Sequence, residues 1–448
     1  MKRSPVPEDF NTYLHYAALV HSIKSSDAKR ACFLPSSLFD HCLALHADQN
    51  GNMWPFPRLQ ELQLDLALRE DQIRPILHLI NPFLQSITLT FVGDEADGYG
   101  LYEGQDVCQL ISTLRMTCPS LKTFNLKGLH CGPVWLHSIA DFLYTAPLQN
   151  LVLFARHSAL LPLFTILSTR PEHQLRHLHL VAAYHDSDPL LACEEGFSLL
   201  PTLDELALET DHTLLCRQLS FGTLPHAPKL RTLRCLLTDF VEEETDLRKL
   251  FAAIAQYARS DAPVLQNLVV TSHQYEYAAY LPSPPILRAA ALKPLTVLAH
   301  LKHVNIELEI FCQATVQLLD SFVHAWGQHL ESLVLSPCPR VPVDARDIRI
   351  GLEDVIAFAA HCPHMHTLGL LFTGDEGPIY EYFPRSTALR TLTVGSSPIY
   401  SVDYCTEALK KGFPKLRAVQ WADPGTFVST CYDYDERWDQ VESRLGLY

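Results

Sequence analysis

The sequence predicts an α/β fold built as a solenoid, a stack of short strand-and-helix units with a parallel concave sheet and outer helices. Three observations carry this expectation. A Leu-x-x-Leu-x-Leu pattern recurs along the chain, prolines stand in phase with it, and segments of helical apolar spacing lie between successive copies.

The clearest copies begin at Leu59 (with Leu62 and Leu64), Leu121 (Phe124, Leu126), Leu148 (Leu151, Leu153), Leu175 (Leu178, Leu180), Leu203 (Leu206, Leu208) and Leu330 (Leu333, Leu335). Weaker copies begin at Leu84, Leu230, Leu265, Leu301, Met365, Leu389 and Leu416. Successive anchors stand 25, 37, 27, 27, 28, 27, 35, 36, 29, 35, 24 and 27 residues apart. The commonest step, about 27, lies within the roughly 20–29 residues of a leucine-rich repeat, and the longer steps mark insertions. Because side chains alternate between the faces of a strand, the leucines of each copy share the buried side and the residues between them share the open side.

Proline stands two residues before the anchor in eight of the thirteen copies, at Pro57, Pro82, Pro119, Pro201, Pro228, Pro263, Pro363 and Pro414. It cannot continue a helix and biases its predecessor toward extended geometry, so it marks the return from helix to strand. Val107 to Met116, Val134 to Leu143, Leu247 to Ala258, Ala314 to Trp326 and Val355 to Ala360 carry helical apolar spacing. Each unit is therefore strand, turn, helix and return, and stacking such units buries the leucines between layers.

A solenoid needs its ends covered, which sets the expected organisation. Residues 1–56 are expected to form an N-terminal helical cap, with amphipathic helices over Glu8 to Ile23 and Leu34 to Leu45. Residues 57–430 hold about thirteen irregular repeats, and residues 431–448 a C-terminal cap helix with Trp438, Val441 and Leu445 on a charged background.

Composition narrows the function classes. Of the 448 residues 48% are hydrophobic and 19% charged, enough apolar material for a long core. Lys and Arg total 35 against 50 Asp and Glu, a net charge of -15 that repels a phosphate backbone or an anionic membrane, so neither is expected as a partner. No apolar stretch is long enough to span a bilayer. The basic start at Lys2 and Arg3 is followed by Glu8 and Asp9 rather than an apolar segment, unlike a secretory signal. Thirteen scattered cysteines without a paired framework read as reduced thiols of a cytoplasmic or nuclear protein.

Candidate chemistry is sparse. His361, Cys362, His364 and His366 offer imidazole and thiolate, but their spacing is irregular and Cys362-Pro363 falls at a helix-to-strand turn, so no metal is expected there. No phosphate-binding glycine loop, zincin helix or serine-nucleophile elbow occurs. The expectation is a binding protein rather than an enzyme, with no catalytic residues, cofactor or metal. Strand alternation places His177, His179, Glu205, Glu209, Arg234, Asn267, Asn305 and Glu307 on the concave face, a polar mixture suited to gripping a protein partner. Tyr275, Tyr277 and Tyr280, followed by Pro282, Pro284 and Pro285, lie in an insertion, where aromatic side chains make interface anchors. Asp94 to Asp106 is a second, acidic insertion. Glu242-Glu243-Glu244 with Asp246 reads as the first turn of a helix, where negative charge suits the dipole.

The proline-led repeats, as in Cys118-Pro119-Ser120-Leu121-Lys122-Thr123-Phe124 and Phe413-Pro414-Lys415-Leu416-Arg417, resemble the repeat region of fungal F-box proteins. The run Glu8-Asp9-Phe10-Asn11-Thr12-Tyr13-Leu14-His15-Tyr16-Ala17 and onward to Ile23 is similar to the stretch that follows the F-box there. In that family the F-box docks on a Skp-type adaptor of a cullin-RING ubiquitin ligase, and the repeats hold the protein to be ubiquitinated. The resemblance thus implies a substrate-recognition scaffold. Leu34 to Leu45 imitates the opening of an F-box, yet the array starts at Leu59 without room for the rest, so a Skp-type adaptor is expected only if an F-box lies upstream. The alternative is a free-standing binding or inhibitory protein without ligase coupling.

Overall fold

Each of the thirteen copies runs directly into a strand. The structure is a computed structural model that describes residues 16–17, 19–24, 56–67, 73–92, 105–131, 138–139, 141–143, 146–155, 163, 167, 174–182, 200–220, 224–239, 241, 243–272, 286–308, 310–337, 345–374, 384–421 and 432–447. The chain divides into two units, Met1–Leu203 and Asp204–Tyr448. In the first, β1 (Ser22–Lys24), β2 (Glu61–Ala67), β3 (Ser86–Val92), β4 (Thr123–Cys131), β5 (Asn150–Ala155) and β6 (His177–Ala182) pair in chain order, all parallel. Helices α1 (Ile73–Leu77) and α2 (Gln105–Thr117) lie between them.

The second unit repeats the plan. Its strands are β7 (Glu205–Thr210), β8 (Thr232–Leu237), β9 (Asn267–Ser272), β10 (Ile286–Arg288), β11 (His303–Glu307), β12 (Phe311–Gln313), β13 (Ser332–Leu335), β14 (Thr367–Gly369), β15 (Thr391–Gly395) and β16 (Ala418–Trp421). All but β10 and β12 form one parallel sheet in chain order. β10 and β12 pair with each other as a small side sheet. The helices are α3 (His212–Ser220), α4 (Glu244–Ser260), α5 (Ala289–Leu292), α6 (Val316–Trp326), α7 (Leu352–Ala360), α8 (Val402–Gly412) and α9 (Tyr432–Leu445). Parallel strands in chain order, thirteen of them led by the repeat motif, make this a leucine-rich-repeat solenoid fold.

The register explains why the motif is so regular. Leu206 lies opposite Leu233 and Leu233 opposite Leu268, so the second leucine of each copy continues one buried row across the sheet. These three are fully buried, and twelve of the thirteen anchors are buried as well. Leu416 is the exception and is partly exposed. In eleven of the thirteen copies the carbonyl after the anchor takes two N–H bonds from the next repeat: Gln60 accepts from Gln85 at 2.8 Å and Ser86 at 3.0 Å, and Arg231 accepts from Gln266 at 2.9 Å and Asn267 at 2.8 Å. The in-phase prolines have a sharper role than helix stopping. The anchor N–H donates to the carbonyl three residues earlier, as Leu121 to Cys118 at 3.3 Å and Met365 to Cys362 at 3.1 Å. That closes a β-turn with proline at its second position, where a fixed φ costs nothing.

Helices α2, α4, α6 and α7 cover the segments whose spacing predicts them; the segment Val134 to Leu143 is described as helical at 138–139 and 141–143. In α4 the row Leu247, Leu250, Phe251, Ile254 and Tyr257 is buried, while Glu244 and Asp246 sit in the first turn as the charge pattern predicts. One expectation fails at the start of the chain. Ser22 and Ile23, predicted as the end of a helix, form β1 with Lys24 instead. The reason is local: the His21 carbonyl accepts from Gln60 at 2.9 Å and Glu61 at 3.1 Å, Lys24 pairs with Glu61 at 2.9 Å, and Ile23 falls opposite Leu62. The segment Leu34 to Leu45 lies outside the described residues. Within β4 the register shifts between Leu126 and His130. Gly128 sits in this bulge at φ 76°, with its missing Cβ position 2.1 Å from the Phe91 carbonyl oxygen, which leaves no room for a side chain.

Candidate functional site

Equivalent positions on neighbouring strands lie about 4.8 Å apart. Short polar side chains on the open face therefore reach sideways and bond one another. In the first unit Asn125 Nδ2 donates to Thr88 Oγ1 at 3.0 Å and Asn150 Nδ2 to Thr123 Oγ1 at 3.0 Å, while the His177 Nδ1 faces Asn150 Oδ1. His177 is exposed and His179 half-buried, both off the core as alternation predicts. In the second unit Asn267 Nδ2 donates to Thr232 Oγ1 at 2.9 Å, and Arg234 Nε lies 2.8 Å from Glu205 Oε1. Glu209 and Asn305 are half-buried, and Glu307 is exposed. Partial desolvation of its carboxylate raises the Glu307 pKa above its ordinary value, and a hydrogen bond from Asn305 partly offsets this. Tyr275, Tyr277 and Tyr280 lie outside the described residues, as does most of Asp94 to Asp106.

The cluster His361, Cys362, His364 and His366 separates in space. His361 Nδ1 bonds the Ala357 carbonyl at 2.7 Å and finishes α7. Cys362 is buried, and burial pushes its thiol up to about 12, so it stays protonated. His364 is exposed at the turn. His366 instead joins two residues from other repeats. Its Nε2 lies 3.9 Å from Glu331 Oε2, and His303 Nε2 lies 3.6 Å from the same oxygen. Lys302 holds the other carboxylate oxygen at 3.2 Å, and that bond lowers the Glu331 pKa. Burial lowers the His303 pKa, against the pull of Glu331. Sequence reading missed this group because its members come from three repeats. The usable signal was that each follows its anchor by one or two positions.

A second ionisable group sits at the start of α3. The His212 backbone N–H donates to Asp239 Oδ1 at 2.8 Å, its Nδ1 meets Asp239 Oδ2, and its Nε2 lies 3.8 Å from Asp246. The Asp239 hydrogen bond raises the imidazole pKa above its ordinary 6.5; burial opposes this, and the charges of Asp239, Asp246 and Asp211 add to it. A raised folded-state value means the pair stabilises fully below pH 6.5 and loses its contribution as pH rises through the raised value. The stability gap between wild type and His212→Ala is therefore expected to be larger at about pH 6 than at about pH 9 in urea titrations. An equal gap at both would contradict it. Cys216, one turn further along α3, is no nucleophile: burial and Asp246 push its thiol up to about 12, and the thiolate is the reactive form.

On the helical side, Ala252, Ala255, Gln256, Arg259, Ser260, Pro294 and Val297 line an apolar groove of about 460 Å³. No helix among the described residues is long and apolar enough to cross a membrane.

No protein-family model matches the chain, and no curated protein matches it. Among solved structures it is similar to the leucine-rich repeat-containing protein LegL7 from Legionella pneumophila, at 13% identity and a TM-score of 0.37, covering 86% of this chain and 98% of that one. It is also similar to a chain of the TLR13-ssRNA13 complex, at 13% identity and a TM-score of 0.33, covering 91% of this chain and 58% of that one.

Proposed function

We propose that the chain is a protein-binding scaffold without catalytic activity that grips its partner with the open face of its sheet. The observation that carries this reading is the rows of polar side chains already bonded across neighbouring strands. Side chains ordered before binding lose less entropy on association, so such a face suits recognition of a folded protein or peptide. In the second unit the patch comprises Glu205, Glu209, Arg234, Asn267, Asn305 and Glu307; in the first it comprises His177 and His179. Tyr275, Tyr277 and Tyr280 supply aromatic anchors from the inserted loop. The net charge of -15 favours a protein over nucleic acid or an anionic membrane. Buried thiols at Cys118, Cys235, Cys312 and Cys362 support a reducing compartment, cytoplasm or nucleus. In this reading residues 1–56 and 431–448 cap the array of residues 57–430.

The finer reading follows the sequence resemblance: the array is the substrate-recognition part of an F-box ubiquitin-ligase subunit. One observation favours the alternative, a free-standing binding or inhibitory protein. Strand β1 at Ser22–Lys24 already pairs with β2, so the parallel sheet begins, in sequence, ahead of the F-box-like segment Leu34 to Leu45. Copurification of the tagged full chain from its native cells, followed by cross-linking mass spectrometry with a carboxyl-reactive reagent, separates these readings. A partner joined near Glu205, Glu209 and Glu307 supports the open face, and one joined exclusively to α4 and α6 overturns it. A stoichiometric Skp-type adaptor in the same sample supports the ligase reading; a stable partner without it supports the free-standing one.

A further inference from the structure

We propose that His303, Glu331 and His366 form a binding site for a divalent transition-metal ion, with Zn²⁺ the best fit. The three residues sit at the starts of consecutive repeats, and the backbone ladder fixes their positions. His303 N–H donates to the Gln266 carbonyl at 3.0 Å, Glu331 N–H to the Lys302 carbonyl at 2.8 Å, and His366 N–H to the Glu331 carbonyl at 2.9 Å. One ligand atom from each residue lies within 4.8 Å of the other two. Both imidazoles aim Nε2 at one oxygen of Glu331, at 3.6 and 3.9 Å. Those distances are too long for hydrogen bonds, so the three donors converge on a gap rather than bonding one another. Tetrahedral Zn²⁺, with bonds of roughly 2.0–2.2 Å to nitrogen and oxygen, needs its ligand atoms roughly 3.3 Å apart. The side chains are 33 to 47% exposed and can rotate through the difference.

The surroundings prepare these atoms. Thr367 Oγ1 engages His366 Nδ1 at 3.1 Å, which leaves Nε2 for the ion, the usual outer support of a ligating histidine. Lys302 occupies Glu331 Oε1, so Oε2 acts as a single-oxygen ligand. Two imidazoles and a carboxylate suit zinc, whereas calcium and magnesium require mostly oxygen ligands. Three protein ligands leave a fourth position open to water or to a donor from outside, a pattern of exchangeable rather than purely structural zinc. The site stands independently of the protein-binding reading, although His303 shares its strand face with Asn305 and Glu307.

Calorimetric titration of the full-length chain with ZnCl₂, and with CoCl₂ while following the visible absorption of tetrahedral cobalt, tests the proposal. The chain holds 22 histidines, so the decisive quantity is the tightest equivalent. His303→Ala and His366→Ala should each weaken it at least tenfold and abolish the cobalt band, Glu331→Gln, which keeps the side-chain shape, should weaken it too, and His361→Ala and His364→Ala should leave it unchanged. Circular dichroism of each variant checks that the fold is kept. The absence of a saturable equivalent on the wild-type chain, or its survival in folded His303→Ala and His366→Ala variants, would overturn the site.

Discussion

Replacing Trp438 by alanine is expected to lower the free energy of unfolding of the second unit by about 3–5 kcal/mol. Trp438 is the buried anchor of α9, with its ring edge-on to Phe372 at a centroid distance of 6.0 Å. Its Nε1 donates to the Ser397 carbonyl at 2.9 Å, inside the last repeats. Truncation therefore removes ring packing, opens a cavity beside Phe372 and leaves a buried carbonyl unbonded, a loss that alone costs about 1–3 kcal/mol. Trp438→Phe keeps most of the packing and loses the hydrogen bond, so it should cost less than Trp438→Ala. Arg437, which bonds the Ile399 carbonyl at 2.7 Å from the same helix, lies at the edge and should matter less. Urea denaturation of Trp438→Ala, Trp438→Phe and Arg437→Ala, followed by circular dichroism, reads these differences. Equal and small changes would mean that α9 does not hold the end of the array.

Leu206→Ala is expected to cost about 2–5 kcal/mol, and its neighbour Glu205→Ala no more than about 1 kcal/mol. The two residues adjoin on β7 but face opposite ways. Leu206 is fully buried opposite Leu233, while Glu205 forms a surface pair with an Arg234 side chain that is 58% exposed. A cavity at Leu206 interrupts the continuous leucine row, so the loss falls on β8 as well, where Leu233 lies opposite it. Because long repeat arrays can unfold in steps, the urea transition should be paired with hydrogen exchange, which reports β7 to β9 directly. Comparable losses for Leu206→Ala and Glu205→Ala would place the register one residue out.

The buried half of this protein was legible because it repeats. Leucines alternating along the strand, a proline at the second position of eight of the thirteen turns and a recurring step of about 27 residues leave few alternatives, and even Cys235 and Val270, weak matches to the motif, occupy the same buried row as Leu208. What escaped were elements outside that grammar. Strand β1 carries no leucine motif and is held by backbone bonds from Gln60 and Glu61. β10 and β12 come from two successive repeats, on either side of β11, with Phe311 packed against Leu371, Ile286 and Ile348, a contact no local pattern announces. The open face was legible as positions but not as chemistry. Alternation placed Glu205, Arg234 and Asn267, whereas the bonds that tie them to neighbours depend on side-chain reach between strands. His361, Cys362 and His364 lie close in sequence but not as one group: His361 finishes α7, Cys362 is buried, His364 is exposed at the turn, and His366 meets His303 and Glu331.

The central claim, that the open face is the recognition surface, is tested most directly by the affinity of the copurified partner for a Glu205→Ala, Glu209→Ala, Arg234→Ala triple variant. Calorimetry would compare it with wild type and with a Gln256→Ala, Arg259→Ala variant on the helical side, beside the apolar groove. Surface substitutions usually change stability by no more than about 0.5 kcal/mol each, so all three chains should melt within a few degrees of one another. The account predicts at least a tenfold weaker Kd for the open-face variant, a loss of about 1.4 kcal/mol, and an unchanged Kd for the helical-side variant. Unchanged affinity in the folded open-face variant, together with loss in the helical-side one, would contradict it.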